Sequence, residues 1–172
     1  PRLIPVPSGD FVYRWAFWLP DQQRLLVAGH HPNQPTRFFV QTINGKEVRR
    51  VGPESEATPI AVISQDGQTV AAVAPGGRIG LYPRDEGPPR EFPGAEPGDV
   101  PIMWSEDGRR LYVAQPFEIP VRVFQVEITS GRRTFWKAIA PSDRTGVTVI
   151  TPVAITPDGR YYAYSFIREL SA

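Results

Sequence analysis

The fold of this chain is decided by the stretch VPIMWSEDGRRLYVA at residues 100–114. An apolar run ends at Trp104, a Ser-Glu-Asp-Gly-Arg turn follows, and a second apolar run begins after Arg110. Asp-Gly between two apolar runs is typical of a β-hairpin, because glycine accepts a positive φ and aspartate tolerates one. The stretch therefore predicts two antiparallel strands joined by a type I′ turn at Asp107-Gly108, with Gly108 at positive φ.

This hairpin recurs along the chain. IAVISQDGQTVAAVA stands at 60–74 and PVAITPDGRYYAYSF at 152–166, while AFWLPDQQRLLVAG at 16–29 is a weaker copy with Gln22 in place of the glycine. We expect Gln22 to mark a different turn. Spacings of 45, 41 and 51 residues separate the turn aspartates Asp21, Asp66, Asp107 and Asp158. The chain is therefore predicted to be a repeat protein.

Composition narrows the class of protein. The 172 residues, 41% of them hydrophobic, fit one domain over 1–172 with a sizeable core. With 19 basic and 18 acidic residues the chain lacks the charge expected of a nucleic-acid binder. No stretch approaches the roughly 18 apolar residues of a membrane span. Without cysteine there is no disulfide framework, and 20 prolines and 15 glycines favour many short strands over helices.

Four strands are predicted in each of three units and two in a fourth. In chain order they cover 13–19, 24–30, 37–43, 47–51, then 59–64, 69–74, 78–83, 90–93, then 100–104, 110–115, 120–128, 132–139, and last 149–156 and 161–167. Asn44-Gly45 predicts a second type I′ turn.

Four strands per 41 to 51 residues is the layout of a β-propeller blade. The sequence thus predicts an all-β, partial propeller of about three and a half four-stranded antiparallel blades, with units at 13–52, 59–94, 100–139 and an incomplete 149–172. Aromatic residues are expected to fill the wedges between blades; the candidates are Trp18, Trp104, Phe124, Trp136 and Phe166.

The repeat resembles a known family. ITPDGRYYAYSF at 155–166 is close to the WD40-like (PD40) repeat of TolB-type propellers, and SEDGRRLYVA and SQDGQTVAAVA follow it with Glu106 or Gln65 replacing the proline. LPDQQRLLVA departs from the repeat, and the Gly-His and Trp-Asp pairs of true WD40 repeats are missing. The resemblance implies a propeller fold and a periplasmic or cell-surface location. The stretch at 139–165 also resembles propellers that follow the kinase domain of some bacterial serine/threonine kinases.

Two stretches are candidate ligand sites. His30-His31 could bind a metal only if the strand ends there, because adjacent strand residues point to opposite faces. Gly76-Gly77-Arg78-Ile79-Gly80 resembles part of a phosphate loop, but no helix follows it, so a hairpin turn is expected.

Charged residues give two further candidate sites, one for a cation and one for phosphate. Asp66, Asp107 and Asp158 fall in separate blades, which favours a role in turns over calcium binding. Arg49-Arg50, Arg109-Arg110 and Arg132-Arg133 are expected to be solvated charges rather than one phosphate-reading patch. No nucleophile elbow, kinase motif or histidine-based triad occurs in the sequence, so we predict no catalytic, cofactor-binding or metal-binding residue.

The sequence therefore predicts a non-catalytic propeller module that binds a protein or small ligand at a rim or in the central channel, without nucleic acid or membrane contact. The alternative is a regulatory propeller of a larger enzyme, such as a kinase or a propeller-capped peptidase. Three and a half blades predict a piece of a larger ring, or self-association through open blade faces.

Overall fold

The computed structural model describes residues 10–55, 60–85, 87–116 and 118–169. No helix occurs among them, and so none that could span a membrane. These residues form fourteen strands: β1 Val12–Trp18, β2 Arg24–His30, β3 Thr36–Thr42, β4 Val48–Ser55, β5 Ala61–Ile63, β6 Thr69–Val73, β7 Ile79–Pro83, β8 Arg90–Glu91, β9 Val100–Trp104, β10 Arg110–Gln115, β11 Val121–Glu127, β12 Arg133–Ile139, β13 Val147–Ile155 and β14 Tyr162–Arg168.

The strands make three four-stranded antiparallel meanders and one two-stranded sheet. Their orders are β1-β2-β3-β4 (blade 1), β5-β6-β7-β8 (blade 2), β9-β10-β11-β12 (blade 3) and β13-β14 (blade 4). The predicted all-β propeller architecture is confirmed. The hairpin turn expected in the glycine stretch is present at Gly76-Gly77, between the paired strands β6 and β7, while Ile79 and Gly80 already belong to β7.

Three apolar clusters lie between successive blades, and they form the core. Strands with alternating side chains present an apolar set to each neighbouring sheet. Leu26, Phe38 and Val40 of blade 1 pack with Val70 and Ala72 of blade 2. Further clusters join Leu81 to Leu111 and Val113 across blades 2 and 3, and Val121 and Val123 to Ile150 and Ile155 across blades 3 and 4.

Three of the five predicted wedge aromatics lie between blades. Trp104 is 3% exposed and its Nε1 donates to the Val62 carbonyl at 3.4 Å, while Phe124 and Trp136 pack against the clusters that follow blades 2 and 3. Trp18 and Phe166 are 57% and 42% exposed, so the prediction was wrong for these two. Both belong to the end blades, where the described residues supply no further sheet.

Arg133 was expected to be a solvated charge, but it is mostly buried. Arg133 makes a bidentate ion pair with Asp99, at 2.6 and 3.0 Å, and lies over the Phe124 ring at 3.9 Å. Asp99 is fully buried and also accepts a hydrogen bond from the Glu96 amide at 2.8 Å. This pair fastens the connection between blades 2 and 3 to the outermost strand of blade 3.

Removing Asp99 should destabilise the chain strongly. Asp99→Ala leaves the Arg133 guanidinium without its buried partner, and breaking such a pair costs about 3–5 kcal/mol. Asp143→Ala, which removes the exposed pair with Arg168, is the matched control and should cost far less. Urea midpoints measure both. Equal losses for the two variants would contradict this role for Asp99.

Candidate functional site

The repeated turn defines one rim of the molecule, at the end where the first two strands of each blade meet. In blade 3 the Gly108 amide donates to the Ser105 carbonyl at 2.9 Å. The Ser105 hydroxyl donates to the Asp107 carboxylate at 2.6 Å and accepts from the Arg110 amide at 2.9 Å. Asp107 also accepts from the Arg109 amide at 3.0 Å. The turn therefore satisfies its own polar groups.

The same turn recurs in other blades with the same geometry. Ser64 and Asp66 repeat the hydroxyl–carboxylate bond at 2.5 Å in blade 2, and Thr156 and Asp158 do so at 2.5 Å in blade 4. The carboxylates thus act in the turns, as expected. We call the rim formed by residues 19–23, 64–68, 105–109 and 156–160 the turn rim.

The predicted turn type was wrong at two places. A type I′ turn needs positive φ at both central residues, but Gly108 and Gly45 are positive while Asp107 and Asn44 are not. The positive φ of Gly108, at 66°, is confirmed. Asn44 instead accepts from the Thr42 hydroxyl at 2.6 Å and the Lys46 amide at 3.0 Å. Asn44-Gly45 therefore forms the same four-residue turn as Asp107-Gly108.

Gln22 was expected to mark a different turn, and that prediction was also wrong. Its φ is 54°, and its amide donates to the Leu19 carbonyl at 3.0 Å, as the glycine amides do in the other copies. Leu19 has no hydroxyl, so Asp21 accepts from the Arg24 amide itself, at 3.1 Å. The first unit therefore forms the same turn although it lacks both the hydroxyl residue and the glycine of the other copies.

Gly108 and Gly159 of the turn rim allow two costs of adding a side chain to be compared: backbone strain alone, and backbone strain together with steric overlap. A side chain on Gly108 would meet nothing within 4 Å, whereas one on Gly159 would overlap the Tyr112 hydroxyl. Gly108→Val should therefore cost about 1–2 kcal/mol from its positive φ alone, and Gly159→Val should cost more. Denaturation midpoints test this order, and an unchanged midpoint for Gly108→Val would contradict it.

The turn carboxylates titrate below their ordinary range. The Ser64 hydroxyl and then the Gln68 amide lower the pKa of Asp66, and the Ser105 hydroxyl and the Arg109 amide lower the pKa of Asp107. A hydrogen bond to the charged form favours that form. Ionised carboxylates are thus part of the folded rim.

The lowered pKa values predict a loss of stability in acid. A carboxyl whose folded pKa lies below its unfolded value stabilises the fold above about pH 4 and loses this contribution as the pH falls through the folded pKa. Asp66→Asn/Asp107→Asn should keep the turns, as Asn44 does naturally, and should lose less stability between neutral pH and pH 3. Urea unfolding across this range tests it. Equal acid losses in both proteins would disprove the linkage.

Clefts between neighbouring turns widen along the turn rim. Arg84 donates to Asp85 at 2.8 Å, and its Nη1 lies near Gly67 of the second turn, as do Leu19 and Pro20 of the first. A cleft of about 250 Å³ separates the second and third turns. One of about 720 Å³ separates the third and fourth, and its lining is Ser105, Glu106, Asp107, Arg110, Tyr112, Gln125, Pro157, Asp158 and Arg160. We call this larger space the rim cleft.

The rim cleft has a buried, hydrogen-bonded floor and exposed charges at its edge. The Gln125 amide donates to the Tyr112 hydroxyl at 2.7 Å, and Tyr112 is 2% exposed. The Glu106 amide donates to the Pro157 carbonyl at 2.9 Å and bridges the two turns. Arg110 and Arg160 are exposed beside it. Both charge signs therefore line a polar floor.

Tyr112 and Gln125 are not indicated by any sequence pattern described above. They face each other across β10 and β11, but only the register of the two strands brings them together. A polar residue opposite a tyrosine in the middle of a blade could have indicated this floor, because buried hydroxyls take hydrogen-bond partners.

The two histidines lie at the opposite end of the blades from the turn rim. The Nδ1 of His30 is 3.0 Å from the His31 carbonyl oxygen, so it carries a proton, and the His31 ring packs edge-on against Phe11. Within the described ranges no three His, Cys, Asp or Glu side chains converge as metal ligands.

The arginine pairs do not form one patch. Arg132 pairs with Glu127, Arg50 with Glu54 and Arg133 with Asp99. Arg110 alone of the six lines the rim cleft.

Comparison with solved structures finds the same fold in β-propellers, TolB proteins among them. A protein assigned as TolB from Agrobacterium tumefaciens matches with a TM-score of 0.62 and 20% identity over 89% of this chain and 53% of its own. TolB from Acinetobacter baumannii matches with a TM-score of 0.62 and 15% identity over 88% and 42%. The periplasmic gluconolactonase of Pseudomonas aeruginosa gives 0.52 and 23% over 88% and 49%.

These identities show the fold and nothing finer. The chain spans about half the length of these neighbours. Other structures with the fold are oligogalacturonate lyases and a prolyl endopeptidase, so enzymes are among the neighbours. No protein-family model matches the sequence, and no curated protein does. None of these findings connects the chain to kinases.

Proposed function

We propose that this chain is a non-catalytic propeller module that binds an extended segment of a partner protein at its turn rim, in the rim cleft. The observation that supports this proposal is the cleft itself. It is open, about 720 Å³, and lined by the Tyr112–Gln125 floor between exposed charges of both signs. Such a lining suits the alternating donors and acceptors of a peptide backbone.

The distribution of reactive groups supports binding over catalysis. The cleft holds no histidine, and the carboxylates of Asp107 and Asp158 are already occupied by hydroxyl donors of their own turns. Their pKa values are lowered by these donors, which suits a fixed anion rather than a proton-transferring group near neutral pH. Self-association through the open blade faces stays a separate prediction.

A second candidate is a regulatory propeller within a larger enzyme. It is favoured by neighbours titled prolyl endopeptidase and prolyl oligopeptidase, of whose chains this one covers 26% and 24%. In that setting the turn rim would face the neighbouring domain rather than a separate protein.

Selection from a phage-displayed library of short peptides tests the proposal. Peptides enriched on the immobilised chain should lose binding to Arg110→Glu/Arg160→Glu, which reverses both cations of the rim cleft. The matched control is Arg144→Glu, an exposed arginine at the opposite end of blade 4, and it should keep binding. Enriched peptides that bind all three proteins equally would refute the site.

A further inference from the structure

A second cleft of the turn rim lies between blades 2 and 3, both of which have four strands. Its volume of about 250 Å³ is less than the roughly 300–1,000 Å³ of pockets that hold whole small molecules, so it suits a single side chain. Leu81 and Trp104 belong to the apolar cluster between the two blades, and Ile128 packs against it. All three line the cleft and give it an apolar floor. We call this space the narrow cleft.

Three carboxylates also line the narrow cleft. They belong to Asp66, Glu106 and Asp107, which are exposed, and Arg90 is the one cation among the described residues of the lining. In the turns of Asp66 and Asp107, the turn hydroxyl and the backbone amide two residues after the aspartate both bond to Oδ1. This leaves Oδ2 of each carboxylate with room for a donor from outside the turn. The cleft therefore combines an apolar floor with an excess of negative charge.

The neighbouring gap, between the first and second turns, already holds a guanidinium of the chain itself. The side chain of Arg84 is only 11% exposed, and its Nη1 lies near Gly67 of the second turn. The hydrogen bond to Asp85 is the main cause that raises the pKa of Arg84. The charges of Asp21 and Asp66, one from each turn, raise it further. An arginine between two turns is thus an arrangement that this rim stabilises.

Blade 3 has an isoleucine where blade 2 has this arginine. The Arg84 amide donates to the Gln68 carbonyl at 2.7 Å. In the same way the Ile128 amide donates to the Arg109 carbonyl at 2.9 Å, so Arg84 and Ile128 occupy the same place after the third strand of their blades. The Ile128 side chain lines the narrow cleft and brings no charge to it. The repeat therefore supplies a cation from this position to the first gap and not to the second.

We propose that the narrow cleft binds the side chain of an arginine carried by the partner segment. This inference rests on the proposed function, since it assumes a polypeptide at the turn rim and adds what that polypeptide carries. Glu106 and Asp107 line both clefts, so one extended segment that crosses the third turn reaches both. The arginine stem lies on the apolar floor and the guanidinium meets the carboxylates, because long cationic side chains bury their stems and keep their charge in polar surroundings.

The lining of the narrow cleft favours arginine over lysine. A guanidinium presents its donors in a plane and can bond to two carboxylates at once, whereas an ammonium is a compact, strongly hydrated charge. In the neighbouring gap the Arg84 guanidinium makes two hydrogen bonds with Asp85, at 2.8 and 3.2 Å. An arginine side chain should therefore bind in the narrow cleft more tightly than a lysine side chain.

An NMR titration with N-acetyl-arginine N-methylamide, a small probe that carries this side chain, tests the proposal. The indole N–H of Trp104 and the amide of Gly108, two residues that line the narrow cleft, should shift saturably. The citrulline analogue has nearly the same shape without the charge and should cause no saturable shift, and the lysine analogue should bind more weakly. Equal binding of the arginine and citrulline probes would overturn the proposal, as would no saturable shift with arginine.

Three variants locate the bound probe. Ile128→Arg gives the narrow cleft its own guanidinium, as Arg84 does in the neighbouring gap, and should abolish binding of the arginine probe. Arg90→Gln removes the competing cation and should lower the Kd about twofold, and Glu106→Gln should raise it about threefold. Arg90 and Glu106 are exposed, so these two variants test the site even if Ile128→Arg does not fold.

The matched control is Glu118→Gln, which removes an exposed carboxylate from the connection between β10 and β11, at the opposite end of blade 3. It makes the same change of charge as Glu106→Gln and should leave the Kd of the arginine probe unchanged. If Glu106→Gln and Glu118→Gln gave the same Kd, the probe would not be in the narrow cleft and the proposal would be wrong.

The peptides selected on the immobilised chain distinguish this inference from the proposed function. They should contain an arginine and should lose binding to Ile128→Arg, a change outside the lining of the rim cleft, as well as to Arg110→Glu/Arg160→Glu. Peptides that lose binding only to the double variant would leave the proposed function standing and overturn the arginine site. Saturable binding of the arginine probe without any selected peptide would support the narrow cleft and contradict a segment in the rim cleft.

Discussion

Burial of both faces of each sheet is the constraint on which this structure depends. A four-stranded meander with apolar side chains on alternate positions has two apolar faces, and only a neighbouring sheet on each side removes both from water. The clusters between blades show this in the chain: Leu81 faces blade 3 from blade 2, and Val123 faces blade 4 from blade 3. The exposed aromatics Trp18 and Phe166 occur where no further sheet is described.

Most of the fold could be predicted because the same strand-turn-strand pattern occurs several times in the sequence. Alternating apolar residues and an Asp-Gly turn are local features, and one ambiguous copy is corrected by the others. The geometry of the turns was harder to predict. Asp-Gly at Asp107-Gly108 favours a two-residue turn by its residue types, but the hydroxyl of Ser105 offers the amides of the returning strand another acceptor and stabilises a wider turn. At Gln22 the surrounding strands impose the same turn without glycine, because the pairing of β1 with β2 fixes where the chain must reverse.

The buried ion pair and the rim cleft could not be predicted in the same way, since both depend on residues that meet only through register and packing. Asp99 and Arg133 lie in different elements, and nothing in their local sequence distinguishes Arg133 from the exposed Arg132. The two arginines differ in burial. Arg133 lies beside the connection between blades, and a buried charge there must be paired. Tyr112 and Gln125 likewise become a floor only because β10 and β11 align them and Gly159 leaves room for the tyrosine hydroxyl.

The turn rim contains two kinds of residue: those whose hydrogen bonds or backbone conformation form the turns, and those whose side chains the turns do not use. The hydroxyl, the carboxylate and the residue at positive φ are committed to bonds inside each turn, so they cannot distinguish one partner from another. The side chain of the residue between the hydroxyl residue and the aspartate makes no bond within the turn. This residue differs in every copy that has the hydroxyl: Gln65, Glu106 and Pro157. Because these three positions line the clefts, together with Arg160 after the last glycine, selectivity at this rim would come from side chains that the turns do not need.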